Sequence, residues 1–161
     1  MVTDATAMIT ATDDVITETL RSMIAIVREL GDDQINRRPA LPGANSPYVI
    51  VFHSVAATRF WLGTVIGGEQ IPRDRAAEFT ATGSVADLQQ LVDSLVARIV
   101  EWVTVALTEG VRDRSGVGST RRHQIATATP EWMLSHVIRE LAQHLGQLEL
   151  TRDVLVGSAQ L

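Results

Sequence analysis

Four stretches of this chain carry apolar residues at helical spacing, and none alternates apolar and polar residues as a half-buried strand does. The first helix is expected from about Thr12 to Leu30, with Val15, Leu20, Met23, Ile24 and Val27 as its apolar stripe and Gly31 as its stop. A loop from Asp32 to Asn45 follows, holding Pro39, Pro42 and Gly43 and longer than a tight turn needs. Ser46-Pro47 opens the second helix, since serine caps well and proline suits the first helical position. That helix reaches about Ile66, where Gly67-Gly68 stop it. A second loop passes through Ile71-Pro72-Arg73-Asp74-Arg75 to Gly83. Ser84 and Asp87 have the spacing of a capping box, and Leu88, Leu91, Val92, Leu95, Ile99, Trp102 and Val103 continue the third helix until Gly110. Residues 111–128 read as a short extended excursion. Thr129-Pro130 repeats the cap-plus-proline signature and opens a fourth helix to about Val156. The expected fold is therefore all-α, a four-helix bundle in one domain over residues 1–161, with connections too long for strict up-down-up-down order.

Composition narrows the chemistry. Fourteen basic against 19 acidic residues leave a net charge of −5, which argues against nucleic acid as a partner. Every basic residue is arginine, so Schiff-base chemistry and a P-loop lysine are excluded. The chain has no cysteine, which excludes a disulfide framework, a thiolate metal site and a cysteine nucleophile. The N-terminus lacks the basic and apolar regions of a signal peptide. No stretch approaches the roughly 20 apolar residues of a membrane span. A cytoplasmic protein without a membrane partner is expected.

On the fourth helix His136, Glu140, His144 and Gln147 are spaced by four, four and three residues. At about 100° per residue they fall within an arc of roughly 80°. Leu134, Val137, Ile138, Leu141, Leu145 and Leu148 fill the adjacent, core-facing arc. The spacing lets the Glu140 carboxylate and the His144 imidazole reach one ion. On the second helix His53 stands among Val49, Ile50, Ala56, Ala57 and Phe60. If the two helices are neighbours, His53 completes a His/Glu/His set with open coordination positions. Without cysteine, any metal site here is of this N/O type. The bland alternatives are a satisfied core histidine at 53 and an ordinary solvated face around Glu140. His136 reads as a ligand-orienting partner, a substrate contact, or neither. His123 receives no role, Asn45 reads as structuring its loop, and Phe60, Trp61 and Trp132 read as core.

Three segments carry a resemblance: "PALPGANSPYVIVFHSVAATRFWLG", "IPRDRAAEF" and "EWMLSHVIRELAQHLGQLELTRD". With them nearly the whole chain resembles the DinB/YfiT-like superfamily of metal-binding four-helix proteins, and most closely its actinobacterial branch of mycothiol-dependent enzymes. The resemblance implies a divalent metal held by His53, Glu140 and His144. Many superfamily members have His where Glu140 stands, and the mycothiol-dependent maleylpyruvate isomerases use His/Glu/His. Zinc is the first expectation for the ion, and Ni, Mn, Fe or Co suit the same donors.

The implied activity is metal-dependent S-transfer from a low-molecular-weight thiol, mycothiol, to an electrophile, in a detoxification role. A free thiol with pKa about 8.5 is mostly protonated at neutral pH, and a divalent cation favours its thiolate. In this reading His136 and Gln147 polarise water or position the substrate, and Arg59, Arg73 and Arg75 bind a carboxylate on the thiol or substrate. For these arginines, surface solubility or structural pairing is an equal alternative. Two other functions stay open. One is an isomerase of the maleylpyruvate type, which usually carries a further C-terminal domain. The other is a non-catalytic metal-binding stress or interaction protein. A homodimer is also left open.

Overall fold

The long helices that open at Pro47, Val85 and Pro130 each begin where a side chain accepts from a free N–H group. The computed structural model describes residues 2–117 and 119–158. Residue 1, Gly118 and residues 159–161, which belong to the expected 1–161 domain, lie outside the described residues. The elements are α1 (Val2–Leu30), α2 (Asp32–Ile35), α3 (Pro47–Arg59) running on into a π-wound segment (Phe60–Ile66), α4 (Arg75–Glu78), α5 (Val85–Thr108), α6 (Arg122–Thr127) and α7 (Pro130–Ser158). Ser46 Oγ accepts the Val49 N–H at 3.3 Å at the start of α3. Ser84 and Asp87 form the full capping box of α5, with Asp87 N–H on Ser84 Oγ at 3.1 Å and Ser84 N–H on Asp87 Oδ2 at 2.8 Å. Thr129 Oγ1 accepts the Trp132 N–H at 3.2 Å at the start of α7.

The helix α1 packs on α5 and α7, and α3 packs on both α5 and α7. Ile16, Leu20, Met23 and Val27 of α1 meet Leu88, Val92 and Ile99 of α5 and Met133, Val137 and Leu141 of α7 in one buried cluster. Each such side chain contributes roughly 1.5–3 kcal/mol by leaving water.

Four sequence expectations change. First, α1 starts at Val2, not near Thr12, because no glycine or proline interrupts the earlier turns; Thr10 Oγ1 bonds back to the Thr6 carbonyl at 3.1 Å. Second, residues 111–128 contain the helix α6 and no extended excursion, and no strand occurs among the described residues. Arg114 Nη1 donates to the carbonyls of Ile125, Ala126 and Ala128 at 3.1, 3.3 and 3.0 Å. The guanidinium thus closes the end of α6, whose orphan carbonyls no short-range pattern shows to be satisfied. Third, the Pro47–Ile66 stretch, at 20 residues, is long and apolar enough by length and composition to cross a bilayer. Most of it is buried, because α3 packs against helices on several sides and so needs apolar residues around much of its circumference.

The fourth change is the winding of the second helix. Gly67 N–H reaches the Leu62 carbonyl at 2.8 Å, an i to i+5 bond. Gly63 and Gly67 form a notch that receives Trp102 of α5. A Cβ on Gly67 would lie 2.7 Å from the Gly63 carbonyl oxygen and 2.8 Å from Trp102 Cδ1. Trp102 Nε1–H donates to Glu69 Oε1 at 2.8 Å, Arg98 pairs with the same carboxylate, and the Arg98 guanidinium lies 4.9 Å from the Trp102 ring centroid. Gly67→Ala is expected to lower stability by about 1–3 kcal/mol through this overpacking, read as a reduced midpoint in urea unfolding. An unchanged midpoint would show that the notch is not tight.

Candidate metal centre

His53 points its imidazole at a buried acid. Its Nδ1–H donates to Glu78 Oε2 at 2.6 Å, and Glu78 is only 2% exposed. The same carboxylate takes a fork from Arg73, Nε to Oε1 at 2.6 Å and Nη2 to Oε2 at 3.1 Å. Burial by itself would raise the Glu78 pKa. The hydrogen bonds from His53 and Arg73, with the Arg73 charge, outweigh it together and hold the carboxyl below its ordinary value. An ionised Glu78 only accepts, so the His53 proton is held on Nδ1 and Nε2 keeps its lone pair. Asp74 makes this local geometry possible by capping α4 through the N–H groups of Ala76 and Ala77 at 3.0 and 3.1 Å.

His144 of α7 meets His53 edge-on, with ring centroids 5.1 Å apart and planes at 89°. Its Nδ1–H donates to Gln147 Oε1 at 3.2 Å, which again leaves Nε2 free. Burial, aided by His53, pushes the His144 pKa down against the opposing pull of Gln147 and Glu140. The imidazole is therefore neutral at pH 7, as a metal ligand must be.

Glu140 is one turn before His144 and lines one cavity with His53 and His136. Its Oε1 takes Arg139 Nη2 at 3.1 Å. Among the described residues no three His, Asp or Glu side chains lie close enough together to hold an ion as they stand. The structure thus brings His53 and His144 together and leaves Glu140 turned to Arg139.

His136 is buried and tightly held. It stacks on Trp132 at 5.1 Å and 8°, and meets Trp61 edge-on at 4.7 Å. Arg139 Nη2 donates to its Nδ1 at 2.9 Å, and arginine has no other role than donor, so the His136 proton sits on Nε2. Burial, with Arg121 and Arg139, keeps its pKa below the usual histidine value despite Glu140. Phe60 and Trp61 are core, as expected, but Trp132 is 41% exposed and covers His136 instead.

A sequence model of the mycothiol S-transferases matches residues 12–157. The chain belongs to the mycothiol S-transferase family. That family lies within the DinB/YfiT-like superfamily. No curated protein and no solved structure matches the chain at comparable stringency.

Within this mycothiol S-transferase family member the arginines divide. Arg73 is committed to Glu78 and also lies 5.2 Å from the Phe60 ring centroid. Arg75 lines the His53 cavity, its guanidinium 5.7 Å from the Phe79 ring centroid. Arg59 does not line that cavity; it borders a separate groove with Val55, Leu91 and Arg98. His123 is exposed on α6. Sequence reasoning missed Glu78 and Arg121. Glu78 stands in the "IPRDRAAEF" segment, where an acid beside two alanines is indistinguishable from a surface residue. Nothing local marks Arg121 as facing a cavity.

Proposed function

We propose that this member of the family is a metal-dependent transferase that conjugates mycothiol to an electrophile. In this reading the four long helical segments form a DinB-like four-helix bundle in a single domain, working in the cytoplasm. His53, Glu140 and His144 hold the divalent ion.

The observation that carries the reading is the pair of imidazoles. Each has its Nδ1–H engaged, one by Glu78 and one by Gln147, so that two Nε2 lone pairs are left 5.1 Å ring to ring. That donor chemistry fits a divalent cation, and Glu140 supplies the third donor on exchanging Arg139 for the ion. One anionic ligand leaves the centre near net charge +1, which favours an incoming thiolate. When bound, the ion supplies the charge that deprotonates a thiol near neutral pH. The chain's own residues do the rest. Glu78 and Arg73 fix the His53 ring, Gln147 fixes His144, and His136 offers an Nε2–H at the cavity wall to a developing negative charge on the electrophile. The thiol proton passes to solvent, and the carbon–sulfur bond forms as the electrophile's leaving group departs with its bonding pair, or as its π bond opens and the resulting carbanion takes a proton from solvent.

Conjugation of mycothiol to a bimane electrophile, assayed before and after chelation and metal return, tests this. Activity that falls to background on chelation and returns with a divalent ion is expected. Conjugation indifferent to metal, or none at any loading, overturns the proposal; isomerisation of maleylpyruvate without conjugation would move the chain to the isomerase class.

A further inference from the structure

We infer that Arg75 and Arg121 form a carboxylate-binding subsite beside the candidate metal centre, so that the electrophile this protein takes is an anion. The inference deepens the transferase reading and rests on it only for naming the anion as the electrophile. Both residues line a cavity of about 320 Å³ that His53, His136 and Glu140 also line. They come from different elements, Arg75 from α4 and Arg121 from the N-cap position of α6.

The charge of the cavity follows from its pairings. Arg73 also lines it, but Glu78 neutralises that guanidinium through a two-point fork. Glu140 is the single acid among the lining residues, and Arg139 already bonds it. Among the described residues neither Arg75 nor Arg121 has a carboxylate within ion-pair distance. Two unmatched positive charges therefore face one cavity in a chain of net charge −5. The Arg121 charge is felt inside, where it helps depress the His136 pKa. The guanidinium fork matches a planar carboxylate, whereas a thiolate sulfur offers no second acceptor for it. His136, whose Nδ1 is occupied by Arg139, contributes a neutral N–H and no competing positive charge.

Calorimetric titration of succinate into the purified full chain tests the subsite, with succinamide as the neutral probe. Saturable succinate binding is expected both before and after chelator treatment, weakened about tenfold or more in Arg75→Gln and in Arg121→Gln. Arg122→Gln, exposed and one position away, should keep the parent affinity. With iodoacetate as a carboxylate-bearing electrophile, succinate should compete with the electrophile and not with the thiol. Equal binding of succinamide, binding lost on chelation, unchanged binding in both arginine variants, or competition with the thiol each overturns the inference. Arginine-dependent succinate binding in a protein that conjugates nothing would remove the transferase reading and leave the anion subsite standing.

Discussion

His53→Ala and His144→Ala are each expected to take bound divalent metal from about one ion per chain to background, because a centre with three protein ligands cannot lose one and retain its grip. Elemental analysis of the purified variants against the parent protein measures this. His144 is the cleaner of the two, since it is half-buried and its hydrogen-bond partner Gln147 can turn to water. His53→Ala also leaves the Glu78 carboxylate short of a donor, so its melting temperature should fall as well. Metal content unchanged in both variants would falsify the assignment of these imidazoles as ligands.

The second large effect is expected at Glu78. Its side chain is 3% exposed, that of Arg73 is 13% exposed, and that of His53 is 11% exposed, so the three form a buried ionic cluster. Glu78→Ala removes the only acid paired with Arg73 among the described residues and should cost about 3–5 kcal/mol, the usual consequence of an uncompensated buried charge. It also frees the His53 ring to turn, which should weaken metal affinity about 10–100-fold. Urea unfolding and a competitive metal titration read the two effects separately. Glu78→Gln keeps the volume; loss of metal affinity in that variant with most stability retained would isolate the orienting role.

The same residue sets an acid dependence. Because the folded Glu78 carboxyl is held below its ordinary value of 4.5, the unfolded chain binds its proton more readily than the folded chain does. Its contribution is fully present above the unfolded value and is lost as pH falls through the lower folded value. The parent protein should therefore lose stability below about pH 4.5 more steeply than Glu78→Ala, as measured by thermal melts across that range.

Much of the backbone was legible before folding. The starts of α3, α5 and α7 were readable from Ser46-Pro47, Ser84 with Asp87, and Thr129-Pro130, since a cap and its N–H partners lie within three residues. The stripe His136, Glu140, His144 and Gln147 was readable for the same reason, and the His144–Gln147 bond lies within it. The π winding at Phe60–Ile66 was not, because it depends on Trp102 of another helix entering the Gly63–Gly67 notch.

By itself the sequence determined the course of the four long helical segments, the caps of α3, α5 and α7, and the exclusion of thiolate from any metal site. Tertiary structure alone decided what those groups face. Glu78 is 25 residues from His53, and only the packing of α4 on α3 makes it the partner that chooses the His53 tautomer. Arg73, which looked available for a substrate carboxylate, is spent on Glu78, while Arg121, which carried no signal, faces the cavity. The division has one physical cause. Helical hydrogen bonds and caps act over three or four residues and so leave their mark in local spacing. Charge pairing and burial act through space, between residues whose separation along the chain carries no information until the helices have packed.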